Sequence, residues 1–227
     1  MLDAVAVTGG ASGLGAAVVR AVRDAGGNAT AIDVAAPASG ESDFVRADVG
    51  DGADVGAAIT TAARRHGSLG ALVCCAGIDA CGPFDAVPAD RWERVISVNL
   101  LGVANAVRSA LPLLEHRKGR VAIVASTLGL RALPEATAYC ASKFGVIGFA
   151  RALAAETAGR VGVTLVIPGG MRTPFFDGRD ERYKPAPDAA LNDPYDVARA
   201  IVYALAQPPG CEIRELVICP STEASWP

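Results

Sequence analysis

Ala4-Val5-Ala6-Val7-Thr8-Gly9-Gly10-Ala11-Ser12-Gly13-Leu14-Gly15 is a short apolar run that stops at a glycine-rich turn. This junction is the strongest indication of the fold class. Residues 16–22 then read as a helix that closes near Gly26-Gly27. A strand, a glycine turn and a helix in this order favour a nucleotide-binding sheet over an ordinary loop. The glycines permit a tight turn and a close approach of the backbone to a pyrophosphate at the helix N-terminus.

The next apolar run, residues 28–33, ends in the carboxylate of Asp33. An acidic residue at about this distance hydrogen-bonds the adenosine ribose diol of a dinucleotide and repels a 2'-phosphate. No Arg or Lys occupies Gly10 to Ser12 or Val34, where it could bind that phosphate. The pattern therefore predicts NAD(H), with NADP(H) less favoured. The alternative is that Asp33 is simply the polar end of a strand.

Strand and helix patterns alternate along the rest of the chain. Apolar strand patterns cover 44–49, 72–77, 120–126, 163–167 and 216–219; helical patterns cover 53–65, 90–98, 102–114, 137–158 and 194–206. Asp90 is a candidate N-cap for its helix. We predict an α/β fold: a Rossmann-like, doubly wound parallel sheet of about seven strands with helices on both faces. The chain is expected to form a single domain over residues 1–227.

Composition excludes several classes of protein. The chain has 227 residues, a net charge of -3 and interspersed acidic and basic residues, which argues against a nucleic-acid partner. No signal peptide or apolar stretch of membrane-spanning length is evident, so we expect a cytoplasmic protein. The six cysteines form no Cys-x-x-Cys pair and the two histidines are not near them, which predicts buried free thiols and no metal site.

A possible proton-transfer site begins where the apolar run 120–126 delivers Ser126. Tyr139 and Lys143 follow, one helical turn apart on one face of a helix, so the ammonium could favour the ionised phenol. A surface pair is the alternative for this spacing alone. Asn99 is polar within an apolar segment and serves either a structural role or a catalytic relay.

Together these motifs resemble the short-chain dehydrogenase/reductase family over nearly the whole chain. The matching positions, in order, are Thr8-Gly9-x3-Gly13-x-Gly15, Asn99, Ser126, Tyr139-x3-Lys143 and Pro168-Gly169-x3-Thr173. Ser126 lies thirteen positions before Tyr139, which is the family's usual separation and selects it over Thr127. Each motif is weak alone, and their order and spacing make the resemblance specific.

The resemblance implies a role for each catalytic residue. Tyr139 would be the general acid in carbonyl reduction and the general base in alcohol oxidation, with its pKa lowered by Lys143. Lys143 would also bind the nicotinamide ribose, Ser126 would polarise the substrate oxygen, and Asn99 would hold a water in a proton relay. The implied activity is NAD(H)-dependent interconversion of a secondary alcohol and a ketone, with the cofactor carrying the hydride.

The resemblance also implies a cofactor site. Asp48 is expected at its adenine end, and Thr173 with the backbone near Met171 at its carboxamide end. The full set of expected cofactor-binding residues is Thr8, Gly9, Ser12, Gly13, Leu14, Gly15, Asp33, Asp48, Val49, Cys75, Ala76, Gly77, Tyr139, Lys143, Pro168, Gly169, Met171 and Thr173. One departure stands out: Cys74-Cys75-Ala76-Gly77 replaces the family's common Asn-Asn-Ala-Gly. The asparagine's hydrogen bonds must therefore be lost or replaced.

The segment 174–192 lacks periodicity and predicts a short substrate lid. The expected pocket is apolar, with candidates Leu128, Leu133, Phe175 and Phe176. The basic residues Arg172, Arg179, Arg182 and Lys184 are offset by acidic neighbours in the same segment, Asp177, Asp180, Glu181 and Asp188.

The helix 137–158 looks buried on both faces. The face opposite Tyr139 carries small residues, namely Ala141, Gly145, Gly148, Ala152 and Ala155. This face predicts a homodimer or homotetramer contact, with packing inside the chain as the alternative.

Another functional class remains open. A dinucleotide-binding regulator or scaffold with little turnover would keep the same fold, and Cys75 leaves room for it. The intact set of Ser126, Tyr139 and Lys143 favours the enzyme. An enoyl reductase is disfavoured by the close Tyr–Lys spacing, and an epimerase or dehydratase by the chain length.

Overall fold

A computed structural model of the chain describes residues 2–38, 40 and 43–223. The strands are β1 (Val5–Thr8), β2 (Ala29–Asp33), β3 (Phe44–Arg46), β4 (Ala71–Cys74), β5 (Arg120–Val124), β6 (Gly162–Pro168) and β7 (Glu215–Ile218). The α-helices are α1 (Gly13–Asp24), α2 (Gly52–Arg65), α3 (Ala89–Ile96), α4 (Gly102–Glu115), α5 (Thr137–Glu156) and α6 (Pro194–Leu205). Short 3-10 turns cover Thr127–Gly129, Pro174–Phe176 and Glu181–Tyr183.

The seven strands form one sheet in the order β3-β2-β1-β4-β5-β6-β7, and every neighbouring pair is parallel. Parallel strands need crossover connections, and helices supply them for every pair of consecutive strands except β2 and β3, between which the described residues contain no helix. The predicted Rossmann-like doubly wound sheet is confirmed. The strand order reverses between β1 and β4, which opens a crevice at their carboxyl ends.

Side chains that alternate along each strand build two cores, one on each face of the sheet. On one face, Val5 and Val7 of β1 pack with apolar residues of α1 and α6. On the other face, Ala6 belongs to a larger core formed with residues of α2, α4 and α5. Burial on both faces explains why the central strands read as continuous apolar runs.

The helix around Asn99 differs from the prediction at its start. α3 begins at Ala89 with Pro88 at the N-cap position, so the expected N-cap role of Asp90 is wrong. Proline fixes φ and lacks an N–H, so it fits a helix start. Asp90 lies in the first turn instead, where its charge favours the helix N-terminus.

A π-helical turn, Ser97–Leu101, joins α3 to α4, giving one continuous helix over Ala89–Glu115. Its 27 residues are long and apolar enough to cross a membrane by length and composition alone, contrary to the sequence expectation. Val103, Val107 and Leu114 of α4 are nevertheless buried in the larger core with α2 and the sheet. The segment is therefore a core helix.

Three strands end earlier than predicted. β3 stops at Arg46, β4 at Cys74 and β5 at Val124, two to three residues short of the predicted ends. Asp48, Cys75 and Ser126 therefore lie in the turns just beyond their strands. The apolar pattern continues past each strand because these turns line the crevice and are partly buried.

Within the chain α5 is buried on one face only, and burial of the opposite face against another subunit stays a prediction. Ala141, Gly148, Ala152 and Ala155 are exposed on the side away from the sheet, and Gly145 is half-buried. The alternative of packing within the chain is therefore excluded for most of this face. Phe144, 46% exposed, adds an aromatic ring beside the small residues.

Candidate active site

A cavity of about 970 Å³ opens at the carboxyl ends of the strands. It runs from the glycine turn after β1, past the ends of β2, β4, β5 and β6, to the segment 174–192. The position matches the place where doubly wound sheets bind ligands, since the strand order reverses beneath it.

The glycine turn needs glycine for two reasons. Gly9 and Gly13 have φ values of +67° and +51°, a region that residues with a side chain rarely adopt. A Cβ on Gly15 would lie 2.0 Å from the Gly9 carbonyl oxygen, so α1 could not pack as closely on the turn. Backbone amides are thereby brought to the cavity wall without intervening side chains.

The N-terminus of α1 suits an anionic group. Ser12 occupies the N-cap position without a capping side-chain hydrogen bond, and the first turn contains no acidic residue. By contrast, α2 is capped by Asp51, whose side chain accepts hydrogen bonds from two backbone amides. The first amides of α1 therefore remain available, together with the helix dipole, for a phosphate. This arrangement fits the pyrophosphate of a dinucleotide.

Asp33 connects the end of β2 to the glycine turn. Its carboxylate accepts hydrogen bonds from the amides of Ala11 at 3.0 Å and Ala35 at 3.2 Å. The residue is half-buried and lines the cavity beside Val34. These bonds hold a negative charge at one end of the cavity.

Asp48 has a partner that the sequence did not reveal. Its carboxylate pairs with the Arg94 guanidinium at 2.6 Å and accepts a hydrogen bond from the Gly50 amide at 2.8 Å. Burial alone would raise the pKa of Asp48, but these hydrogen bonds hold it below its ordinary value. Both side chains line the cavity. No motif marks Arg94, because its role depends on how α3 packs against the turn after β3.

The turn after β4 places a thiol where the family usually has an amide. Cys75, Ala76 and Gly77 all line the cavity. Burial raises the pKa of Cys75 to about 12, so the thiol is neutral near pH 7. A neutral thiol is a weak hydrogen-bond donor, so the replacement loses most of the asparagine's hydrogen-bonding capacity.

Asn99 is fully buried and bound to the backbone. Its oxygen accepts a hydrogen bond from the Ile78 amide at 2.8 Å, and its nitrogen donates to the Ile78 carbonyl at 2.9 Å. The nitrogen also donates to the Ser142 hydroxyl at 3.0 Å. The side chain thus has a structural role, fixing the turn after β4 to the π-helical turn and α5. A relay through water near this residue stays a prediction.

Ser126 and Tyr139 meet at the cavity wall. Ser126 follows β5, and its hydroxyl accepts a hydrogen bond from the Leu128 amide at 3.2 Å. Ser126 is also close enough to the Tyr139 phenol to lower its pKa. Thr127 is buried next to it, so Ser126 is the hydroxyl that contacts the phenol. A substrate oxygen could meet both hydroxyl groups here.

Lys143 lies behind Tyr139, beneath the cavity. Its ammonium donates a hydrogen bond to the Val124 carbonyl at 2.9 Å and lies 5.6 Å from the Tyr139 ring centroid. Burial lowers the pKa of Lys143 to about 8. Lysine in this range titrates close to neutral pH.

The expected lowering of the Tyr139 pKa is wrong for this arrangement. Burial raises the pKa of Tyr139 to about 12, and the nearby Ser126 side chain offsets only part of that effect. The ammonium of Lys143 is directed at the Val124 carbonyl rather than at the phenol. The Tyr139 phenol is therefore neutral near pH 7.

The loop after β6 closes the cavity opposite the glycine turn. A Cβ on Gly13 would meet Thr173 at 3.4 Å, so the two segments lie in close contact. The Gly170 amide donates a hydrogen bond to Glu223 at 3.0 Å, and Glu223 also lines the cavity. Sequence reasoning missed Glu223, which lies in the last described segment. Residues 224–227 of the tail lie outside the described residues.

The segment 174–192 and residues that follow Ser126 line the rest of the cavity. Leu128, Leu133, Phe175 and Phe176, the predicted apolar pocket residues, all contribute to its wall. The Phe175 ring centroid lies 5.6 Å from that of Tyr139. Charged residues join this wall: Asp79 and Glu135, which the sequence did not mark, and Arg179, which the sequence analysis named as a basic residue of the segment 174–192. Asp79 follows closely after the end of β4, a position that could have marked it.

The cavity brings nearly all predicted site residues together. Of the catalytic and cofactor-binding sets, Thr8 and Asn99 are the members that do not line it. Thr8 lies behind the wall, where its carbonyl accepts a hydrogen bond from the Cys75 amide at 3.1 Å.

All six cysteines are free. Cys74 and Cys140 are buried and Cys211 is exposed, which contradicts the expectation of burial for that residue. Within the described residues, no group of three or more His, Cys, Asp or Glu side chains could hold a metal ion.

The all-parallel sheet and its agreement with a known family define an oxidoreductase with an NAD(P)-binding Rossmann fold that acts on alcohol or carbonyl substrates. The chain belongs to the short-chain dehydrogenase/reductase family, whose profile, described as short chain dehydrogenase, matches residues 3–184.

Proteins similar in sequence include a dehydrogenase and a reductase, which agrees with membership of this family. The chain is 40% identical over 182 residues to the 2-dehydro-3-deoxy-L-rhamnonate dehydrogenase (NAD(+)) of a Sphingomonas species, covering 75% of the chain and 73% of that protein. It is 33% identical over 235 residues to the glycine betaine reductase ATRR of Emericella nidulans. That match covers 96% of the chain but spans only 18% of the longer relative.

A solved structure agrees as well. The ligand-free aldohexose dehydrogenase of Thermoplasma acidophilum superimposes with a TM-score of 0.84 at 26% identity, covering 95% of the chain and 91% of that structure.

Proposed function

We propose that the protein is an NAD(H)-dependent oxidoreductase that interconverts a secondary alcohol and a ketone, with Tyr139 as the general acid and base. The observation behind this proposal is that Ser126 and Tyr139 lie together on the cavity wall, with the Lys143 ammonium 5.6 Å from the Tyr139 ring centroid. A carbonyl oxygen between the two hydroxyl groups would receive both a hydrogen bond and a proton.

Each residue has a distinct task in this proposal. The bound nicotinamide supplies or accepts the hydride. In reduction, Tyr139 transfers its phenolic proton to the carbonyl oxygen while Ser126 donates a hydrogen bond to the same oxygen. The Lys143 ammonium, 5.6 Å from the Tyr139 ring, would supply a positive charge near the resulting phenolate, while burial keeps the pKa of the phenol high, so that a proton from solvent readily restores it. Oxidation runs the same transfers in reverse, with the phenolate accepting the alcohol proton.

Asp33 supports NAD(H) as the cofactor. Its carboxylate is fixed by two backbone amides at the end of the cavity, where a 2'-phosphate would meet its negative charge. The neighbouring residues at 10–12 and 34 offer no cation to bind that phosphate. The Sphingomonas relative is also described as an NAD(+) enzyme.

The chain is proposed to act as one unit over residues 1–227, with residues 174–192 as its lid, and to work in the cytoplasm. The exposed small-residue face of α5 supports assembly into a homodimer or homotetramer. Small residues let two helices approach closely, and the exposed Phe144 ring would be covered in such a contact.

A dinucleotide-binding regulator with little turnover is the second candidate, favoured by the neutral Cys75 thiol in the cofactor region. The test combines cofactor fluorescence titration with turnover of secondary alcohols by NAD⁺ and of ketones by NADH. Turnover, with NAD(H) used more efficiently than NADP(H), is the expected result. Tight cofactor binding with no turnover across the panel would contradict the enzyme and favour the regulator.

A further inference from the structure

A buried ion pair forms part of the cavity wall near Tyr139. The guanidinium of Arg179, in the lid, lies 3.1 Å from the carboxylate of Asp79, which follows β4. The side chains of Asp79 and Arg179 are 7% and 15% exposed, and both residues line the cavity. A pair so far removed from water requires good hydrogen bonding to be stable.

Aromatic rings connect this ion pair to the proposed proton donor. The Arg179 guanidinium lies 4.5 Å from the Phe175 ring centroid and 4.8 Å from that of Phe176. Phe175 is in turn 5.6 Å from the Tyr139 ring. The Phe175 ring therefore contacts both the ion pair and the Tyr139 ring. A substrate bound at Tyr139 would place a substituent against the ion pair.

The hydrogen bonding of the pair is incomplete. Asp79 accepts hydrogen bonds from the Ala80 amide at 2.7 Å and the Cys81 thiol at 3.2 Å. The Nη2 atom of Arg179 is buried but finds no acceptor with hydrogen-bond geometry among the described residues, although Asp79 lies within ion-pair distance. The rest of the Arg179 side chain is 15% exposed on the cavity wall, and no hydrogen bond to another described residue occupies the guanidinium, so a ligand that supplies an acceptor to its exposed N–H groups gains affinity.

The charge balance decides which chemical group fits. An anion would leave excess negative charge beside Asp79 in a site removed from water, which is costly. An alkyl group would leave the Arg179 donor without a partner. A hydroxyl group can accept from Arg179 and donate to Asp79 at once, and its neighbouring C–H groups can lie on the Phe175 ring.

We propose that Asp79 and Arg179 together select substrates that carry a second hydroxyl group near the reacting carbon, that is, polyols and hydroxyketones. This inference rests on the proposed alcohol–ketone chemistry and names the substrate class for that site. Binding through the pair accounts for how a pocket wall that includes the Phe175 and Phe176 rings could take a polar substrate.

The test compares kcat/KM with NAD⁺ for butane-2,3-diol, butan-2-ol and 3-hydroxybutanoate. The wild-type protein is expected to prefer the diol over butan-2-ol by about tenfold or more. Asp79→Asn and Arg179→Met are each expected to reduce this ratio toward one, mainly through a higher KM for the diol. The matched control is the exposed pair Asp196 and Arg199, 3.0 Å apart, where Asp196→Asn and Arg199→Met should leave the ratio unchanged.

Two kinetic results would overturn the proposal. One is a wild-type kcat/KM ratio near one for butane-2,3-diol over butan-2-ol. The other is a preference for 3-hydroxybutanoate that Asp79→Asn strengthens and Arg179→Met removes, which would mean that the pocket takes an anion. Thermal unfolding of each variant checks that the chain still folds, and Arg179→Lys, which keeps the charge without the planar fork, provides a milder second variant.

A binding measurement separates this proposal from the proposed function. Saturation-transfer NMR with NAD⁺ present reports contact with butane-2,3-diol whether or not the diol is oxidised. If no alcohol is turned over, diol contact that is lost in Arg179→Met would still support the site. Equal signals for the diol and butan-2-ol in the wild-type and variant proteins would contradict it.

Discussion

The ammonium of Lys143 donates a hydrogen bond to the Val124 carbonyl oxygen at 2.9 Å, from the helical turn that follows Tyr139. Lys143 is 4% exposed, so its charge is held within the protein beneath the cavity. The fold therefore bears the free-energy cost of burying this positive charge.

The pH dependence of the free energy of unfolding should show the cost of burying the Lys143 charge. Lys143 has a pKa of about 8 in the folded chain against an ordinary value of 10.5. The penalty for burying the charged form is fully present below pH 8 and is relieved as the pH rises toward 10.5. Relative to Lys143→Met, the wild-type free energy of unfolding should rise by about 2 kcal/mol between pH 7.5 and 9.5.

Urea denaturation at the two pH values measures this difference. Lys118→Met is the control, because Lys118 is exposed and its removal should add no such pH dependence. Parallel pH profiles for the wild-type and Lys143→Met proteins would contradict a lowered pKa for Lys143.

Cofactor preference should depend on Asp33. Asp33→Asn keeps an oxygen that can accept from the Ala11 amide, so the glycine turn should keep its shape while the charge is lost. The ratio of kcat/KM for NAD⁺ over NADP⁺ is expected to fall about tenfold or more, since repulsion of the 2'-phosphate is removed. The exposed Asp85→Asn should leave the ratio unchanged. An unchanged ratio in Asp33→Asn would show that another residue selects the cofactor.

Cys75 should limit cofactor affinity. Cys75→Asn restores the family's common residue in the turn after β4 and adds an amide that can hydrogen-bond in the cavity. Fluorescence titration of NADH should give a Kd lower by about three- to tenfold. Cys211→Ser, at an exposed thiol, should bind as the wild-type protein does. Equal or weaker binding by a folded Cys75→Asn protein would argue against this role.

The exposed face of α5 should control assembly. Ala152→Glu places a charge in the proposed contact, where a two-fold axis would bring like charges together. Sedimentation velocity should then show a smaller species than the wild-type dimer or tetramer. Ala57→Glu, at an exposed position of α2, is the control. A wild-type monomer, or an unchanged assembly in Ala152→Glu, would exclude this contact.

The sequence predicted the sheet and most of the cavity because both depend on local patterns. Apolar runs mark the strands, and Gly13, Asp33 and Ser126 lie at or beyond the ends of the runs that precede them. The carboxyl ends of parallel strands lie along one edge of the sheet, so the fold places these residues close together.

Contacts between distant segments could not be predicted in the same way. Arg94 pairs with Asp48, Arg179 with Asp79, and Glu223 with the Gly170 amide, and each pairing depends on how separate elements pack. The acidic and basic residues of the segment 174–192 offset one another in the sequence. In the structure, however, Arg179 pairs with Asp79, which follows β4. The direction of the Tyr139 pKa was also missed, because burial cannot be deduced from a helical pair alone.

The role of Tyr139 as the proton donor is tested most directly by measuring the turnover of Tyr139→Phe together with its affinity for NADH. The variant keeps the ring that packs against Phe175 and loses only the proton donor. We expect kcat for ketone reduction to fall about 10²- to 10⁴-fold while the Kd for NADH stays within about threefold of the wild-type value. Turnover comparable with that of the wild-type protein would contradict the central role of Tyr139.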